Sequence, residues 1–345
     1  MTRLKGFEKL MNVDEALRRF LTETKITLLG KETVTLSEGY NRVLASDIKA
    51  EIDIPPFDRS AMDGYAVKAE NTFGASIYSP KKLKIVEEEP LGGFEAKKVW
   101  TGNPIPEGAD AVIELERTRI LDGEIEVLSQ VTPGRNVSKK GEDVKKGEVA
   151  VKAGVRLRPH HIGLAASLGL THLEVSRKPR VAVISTGNEL VEVGEAPSEG
   201  KIIDSNRLIL SFMCRELGAE PTDYGIARDD LPEIASKINQ AVENADLVLT
   251  SGGTSVGEHD LVPLAVESLE RGRILVHGVS MRPGMPTALG LVKGKPIVIL
   301  SGNPVAAIAG FEMFARPAIL TMLGSSGEPR PIAVSYTHLT LPTKA

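Results

Sequence analysis

Near the amino terminus Val13, Ala16, Leu17, Phe20 and Leu21 recur at helical spacing behind Asn12, a pattern that predicts an amphipathic helix. Asn12 suits the amino-terminal cap, and Glu15 stands three residues on, where a reciprocal cap is completed. This helix is predicted to end before Gly30. From about residue 49 to 137 the period changes to short β-type runs, "KKLKIVEE", "ADAVIELER" and "GEIEVLSQV", broken by Gly and Pro, with "LGGF" and "LDGE" as turns. A further helix is predicted to open near Pro159, where proline suits the first turn. Beyond Lys178 apolar runs at 180–184, 247–250 and 296–300 read as buried strands. They alternate with amphipathic stretches at 206–217, 232–244 and 305–323. Such alternation predicts a parallel sheet with helices on both faces.

The predicted organisation is therefore α/β plus β and multidomain. Residues 1–47 with 139–177 form an elongated amino-terminal linker domain, 48–138 a small β-rich domain, and 178–325 a three-layer α/β/α domain. Residues 326–345 end in "SYTHLTLPTKA", which resembles a foreign tail and is set aside from fold reasoning. A chain of 345 residues exceeds what one hydrophobic core ordinarily serves.

Composition narrows the classes. With 42 Lys and Arg against 46 Asp and Glu, the net charge of -4 supplies no general attraction to nucleic acid or to an anionic membrane. The single cysteine, Cys214, forms no internal disulfide and reads as a small buried residue on a helix, which fits a cytoplasmic setting. No segment reads as a signal peptide or as a span of a bilayer.

In an open parallel sheet, ligands bind beyond the carboxyl ends of the strands. There the chain carries "STGNEL", "GIARDD", "TSGGTSVGEHD", "MRPGMP" and "SGNPVAA". Gly252 and Gly253 let backbone N–H groups turn inward as an anion nest, and the hydroxyls of Thr254 and Ser255 add donors for phosphate oxygens. Ser301, Gly302, Asn303 and Pro304 open the last helix, where free N–H groups offer a second anion site. Glu189, Asp229 and Asp260 each follow a different strand. Carboxylates converging beside a phosphate site suit magnesium, although capping and solvated loops account for each acid singly. His160 and His161 are adjacent and point different ways on a helix, so no role is assigned to them; His259 serves a phosphate or the solvent equally well. Upstream, "DIPPFDRSAMDGYAV" and "TGNPIPEGADAV" are polar and turn-rich, and composition alone assigns them to turns.

These blocks occur in a recognisable order. "PPFDRSAMDGYAV", "TGNPIPEGADAV", "GEDV", "STGNEL", "DSNR", "GIARDD", "SGGTSVGEHD", "RPGMPTALG" and "SGNPVAA" resemble the MoeA family of molybdopterin molybdenumtransferases over about residues 8 to 325. Gephyrin and the plant molybdenum cofactor enzymes share the pattern. The resemblance implies insertion of molybdate into the dithiolene of adenylated molybdopterin, with metal-dependent release of AMP. Position by position it implies roles for Asp58, Thr101, Asp143, Glu189, Asp229, Ser255 and Asp260, with Ser255 and Asp260 engaging phosphate and metal. It further implies a homodimer in which the β-rich region of one chain completes the cleft of the other, and dealings with a molybdopterin adenylyltransferase and with molybdoenzymes.

Departures from the family concern the oxyanion. Arg282 and Met285 stand in the "RPGMP" block, beside Gly284, where the family commonly has two lysines, and Ala306 stands where a serine often follows "GNPV". The family's carboxyl-terminal β domain, expected after about Pro331, is essentially absent. Two alternatives belong with this reading. A molybdopterin adenylyltransferase resembles only the α/β domain and leaves "FDRSAMDGYA" unexplained, and a scaffold of the gephyrin type is not catalytic.

Overall fold

The computed structural model describes residues 10–253 and 260–325, so Thr254, Ser255, His259 and the 326–345 tail lie outside the described residues. Its contacts divide the chain into two compact units. One draws on 1–46, 153–158 and 172–345, the other on 47–152 and 159–171.

The first unit is built on six strands, β1 (Arg180–Thr186), β2 (Glu220–Ala227), β3 (Leu247–Ser251), β4 (Arg273–His277), β5 (Ala288–Val292) and β6 (Lys295–Leu300). They lie in the order β2-β1-β3-β6-β5-β4. The predicted parallel sheet is present in β2, β1, β3 and β6. Strands β5 and β4 extend it by antiparallel pairing, which the apolar pattern did not reveal. Two successive antiparallel steps restore the direction. The carboxyl end of β4 therefore lies on the same sheet edge as the carboxyl ends of β1, β3 and β6.

Alternation along the strands explains the layers. Val181 and Val183 of β1 face a core with Leu247, Leu249, Val298 and Leu300. Ala182 and Ile184 face the opposite core with Val248, Ile297 and Ile299. The second core is closed by α3 (Leu231–Asn244) and α4 (Leu261–Ser268), through Ile234, Ile238, Val262 and Val266. The first is closed by α2 (Asn206–Glu216), by the carboxyl-terminal helix and by α1 (Val13–Glu23), whose Ala16 and Phe20 are fully buried. Asn12 caps α1 by accepting from the Asp14 amide at 2.9 Å. The helix predicted for a linker domain thus packs into the α/β core. Cys214 lies in that core too, and burial pushes its thiol up to about 12.

The last helix runs as α5 (Pro304–Gly310), a π turn at Phe311–Ala315, and α6 (Arg316–Leu323). Pro317 has no N–H to give the preceding turn, and the Arg316 amide reaches back to the Phe311 carbonyl. The whole run, Pro304–Leu323, is 20 residues and apolar enough to cross a membrane by length and composition, which corrects the expectation that no segment approaches that length. Its composition has another physical cause: Phe311, Phe314, Ala318, Ile319 and Leu323 fill the core of this unit.

The second unit carries the predicted β-rich region. Its six strands lie in the order Ala111–Glu114, Gly64–Val67, Glu95–Val99, Lys81–Ile85, Glu124–Val127 and Thr118–Leu121. Tyr65, Leu83, Ile113 and Ile125 form its core, and the "LDGE" turn joins the last two strands at the Leu121–Glu124 pair. The helix opening at Pro159, Pro159–Ser167, belongs to this unit.

At the amino ends of the strands of the first unit, one buried acid holds three starts together. Asp246, 6% exposed, accepts from the Arg180 amide at 2.9 Å and from Arg177 Nη2 at 3.1 Å, with Lys295 Nζ at 3.8 Å. Burial by itself raises the Asp246 pKa, but the Arg177 and Arg180 hydrogen bonds and charges outweigh it, leaving the carboxyl below its usual 3.8. A depressed folded pKa gives stability that is present above the unfolded value and is lost as pH falls through the folded one. Asp246→Asn is predicted to cost about 1–2 kcal/mol at neutral pH, because the buried carboxylate loses its charge-assisted hydrogen bonds to the partly exposed Arg177 and to the Arg180 amide. Urea unfolding should show this gap closing as the pH is lowered below 3.8; a gap of constant size through the acid range would refute the assignment.

Candidate functional site

The carboxyl ends of β1, β3 and β6 meet at a cavity of about 240 Å³ lined by Thr186, Glu189, Asn206, Ser251, Gly252 and Gly302, among others. One wall is the paired segments Leu190–Val191 and Ile202–Ile203. Arg207 holds this wall from behind. Its guanidinium, 6% exposed, contacts Glu192, Asp204 at 3.3 Å and Asp223 at 3.2 Å. Burial opposes the Arg207 charge, yet the Glu192 hydrogen bond and the Asp223 and Asp204 charges prevail and raise its pKa.

Gly252 and Gly253 adopt φ of +96° and +65°, the left-handed region expected of a nest. The Gly252 amide is already used, donating to the Leu300 carbonyl at 3.1 Å. A side chain at Gly252 would place Cβ 2.2 Å from the Thr186 carbonyl oxygen, so only glycine lets β1 and β3 end this close together. Asn206 ties the cavity floor: its Nδ2 donates to Ser251 Oγ and to the Gly302 carbonyl, both at 2.8 Å. Asn206 Oδ1 and Thr186 Oγ1 are buried without a hydrogen-bond partner among the described residues. Such atoms ordinarily mark a place for a ligand or an ordered water.

The three acids expected to share a metal take separate roles. Glu189 lines the cavity, its carboxylate folded over Gly187, where a Cβ would lie 2.6 Å from both its oxygens. Asp229 is locked to Asn188: the Asn188 amide donates to Oδ2 at 3.0 Å and the Asp229 amide donates to Asn188 Oδ1 at 3.2 Å. Its neighbour Asp230 caps α3. Asp260 Oδ2 lies 2.9 Å from His277 Nε2, while Oδ1 is buried without a partner among the described residues. Among the described residues no three His, Cys, Asp or Glu side chains form a group able to hold a metal. The three carboxylates as placed do not fit one magnesium ion, and no step below passes through it.

At the start of α5 the amides foreseen for an anion are taken. Asn303 Oδ1 accepts from Val305 N at 3.1 Å and Ala306 N at 3.2 Å, and Ser301 Oγ accepts from Asn303 N at 3.3 Å. Pro304 lines the cavity instead. Arg282 is exposed in the loop joining β4 to β5, at the same sheet edge. Gly284 in that loop has φ +104°, and a Cβ there would lie 3.4 Å from the Ala306 carbonyl oxygen, so the Arg282 loop packs close to the start of α5.

Asp58, Thr101 and Asp143 belong to the second unit, where their loops converge. The Ile105 amide donates to the Asp58 carbonyl at 2.9 Å, and the Asp143 amide to the Ile54 carbonyl at 3.0 Å. The Asp58 carboxylate accepts from Lys139 Nζ and the Lys140 amide, both at 2.8 Å, and these bonds lower its pKa. Thr101 donates its amide and hydroxyl to Asp63 Oδ1 at 2.7 Å, lowering the Asp63 pKa. Asp143 is exposed. Thr254 and Ser255 lie outside the described residues.

Sequence reading singled out neither Asn206 nor His277. Asn206 stands in the quoted "DSNR" block, which was a usable signal. His277 had none, since its place depends on β4 joining the sheet edge.

Comparison with known proteins agrees with this layout. The model described as the MoeA N-terminal region (domain I and II) matches residues 11–169, and that of a probable molybdopterin binding domain matches 182–321. A putative molybdopterin biosynthesis protein of Methanocaldococcus jannaschii is 40% identical over 321 residues, 91% of this chain and 78% of the relative. Molybdopterin molybdenumtransferase 2 of Mycobacterium tuberculosis is 39% identical over 326 residues, 90% of this chain and 80% of the relative. The crystal structure of the molybdopterin biosynthesis MoeA protein from Pyrococcus horikoshii OT3 aligns with TM-score 0.77 and 37% identity, covering 92% of this chain and 80% of that one.

The cavity depends on the close approach at Gly252. Gly252→Ala is predicted to destabilise the first unit by at least about 2 kcal/mol, from an unfavourable positive φ combined with the clash. Chemical denaturation measures this directly; an unchanged midpoint would show that the strands do not meet there.

Proposed function

We propose, for a chain that belongs to the MoeA family of molybdopterin molybdenumtransferases, that it inserts molybdate into adenylated molybdopterin and releases AMP. The observation that carries this reading is the cavity at the ends of β1, β3 and β6, with Asn206 Oδ1 and Thr186 Oγ1 buried and unpartnered in its lining. These atoms offer an acceptor and a donor to a bound nucleotide-type substrate, whose phosphates approach backbone at Gly253, the Gly252 amide being taken by the Leu300 carbonyl. Glu189 lines the same space. The dithiolene sulfurs come with the substrate. Accordingly the chain needs no thiolate of its own, and Cys214, buried with its thiol raised to about 12, supplies none.

Molybdate is read as a substrate that meets Arg282. A guanidinium presents paired donors to a tetrahedral oxyanion, and Met285 adds no donor. A homodimer working in the cytoplasm completes the proposal, and magnesium enters it as an ion added to the reaction.

The test incubates the chain with adenylated molybdopterin and molybdate, with and without magnesium, and follows AMP release together with molybdenum incorporation. Both should proceed in step. Release of AMP without incorporation would leave a hydrolase, and neither would remove the reading. Arg282→Ala should raise the molybdate concentration for half-maximal incorporation about tenfold or more, the loss of one charge-assisted contact. Equal half-saturation in both proteins would take the oxyanion away from Arg282.

A further inference from the structure

Five described α-helices follow an Asn, Asp or Ser suited to capping, and two of the five, Ser205 and Asp260, do not cap. Asn12, Asp230 and Asn303 each accept from amides of their own first turn. Asp260 occupies the same position before α4, yet no first-turn amide reaches its carboxylate. A carboxylate at that place ordinarily turns back onto the helix, where it satisfies a free amide and meets the favourable end of the helix dipole.

His277 supplies the competing partner. It is the last residue of β4, and its Nε2 lies 2.9 Å from Asp260 Oδ2. The two antiparallel steps through β5 bring the carboxyl end of β4 to the ligand edge of the sheet. Asp260 is 14% exposed in its side chain and keeps Oδ1 buried with no partner among the described residues. An ionised carboxylate accepts, so the ring nitrogen donates.

We propose that His277 is a positioning residue for the reaction read above: its ring draws the Asp260 carboxylate off the start of α4 and leaves Oδ1 as an acceptor at the ligand edge. The proposal rests on the functional reading only for the identity of the ligand. Without His277 the carboxylate is free to swing onto the amides of α4, as Asp230 does on α3. Loss of the ring should then harm turnover without harming the fold.

His277→Ala is expected to lower kcat for AMP release about tenfold while KM changes less than about threefold, with no fall in Tm. His277→Gln keeps a neutral donor at similar reach and should recover much of kcat. In an Asp260→Ala background, His277→Ala should have no further effect, because the two residues act as a unit. The same cycle is run on the affinity for AMP, read by calorimetry, which needs no turnover. An active wild type in which the two substitutions act independently would overturn the proposal and keep the function. Coupled effects on AMP affinity in a chain that does not turn over would keep the proposal and overturn the function. A fall in Tm equal for Ala and Gln, with no difference in kcat between them, would reduce His277 to a structural contact and overturn the proposal. A wild type that neither turns over nor binds AMP would overturn both.

Discussion

Both faces of the central strands of the first unit's sheet are buried, and this constraint organises the unit. Side chains alternate across a strand, so Val181 and Val183 must be covered on one side and Ala182 and Ile184 on the other. The connecting helices therefore lie on opposite faces. Ladder bonds satisfy the backbone within the sheet, and polar side chains collect where the strands stop. At the amino ends the buried ones are all paired among the described residues, as at Asp246. At the carboxyl ends they are not.

That asymmetry separates structure from function. Ser185, Thr186 and Thr250 sit at or near the carboxyl ends of β1 and β3 with hydroxyls buried and without a partner among the described residues. Each such group carries a desolvation cost of about 1–3 kcal/mol, which a merely structural edge would be selected to avoid. Asn206 shows the same division within one side chain: its amide nitrogen makes two bonds that close the floor, and its oxygen makes none. The edge is held rigid by what is satisfied and kept receptive by what is not.

The acids follow a related logic. Asp229 is fixed by Asn188, Asp260 faces His277, and Glu189 lines the cavity. Adjacent carboxylates repel one another strongly in a partly buried site, so three acids near one edge are stable only when each has its own donor or its own access to solvent. Placing them on three separate strand ends achieves this.

Periodicity determined much of this protein without any structure. The capped helix at Asn12, three of the four parallel strands, their helices and the β-rich segment were legible because burial of one face or of both leaves a repeating apolar mark, whereas the largely exposed edge strand Glu220–Ala227 carries no such mark. The ordered blocks "STGNEL" and "SGNPVAA" were placed after strands by the same pattern, and in the structure they and "GIARDD" stand at the carboxyl ends of Arg180–Thr186, Lys295–Leu300 and Glu220–Ala227, at the carboxyl edge of the sheet. Tertiary structure alone decided the rest. Whether β4 and β5 join the sheet depends on pairing partners distant in sequence, and that pairing brings His277 beside Asp260. Whether Asn303 caps its helix or leaves its amides to an anion depends on one side-chain rotation. Whether a 20-residue apolar helix is a span or a core element depends on what packs against it. The first and last turn on contacts between residues far apart along the chain, and the cap on a rotamer, and none of these leaves a local pattern to be read.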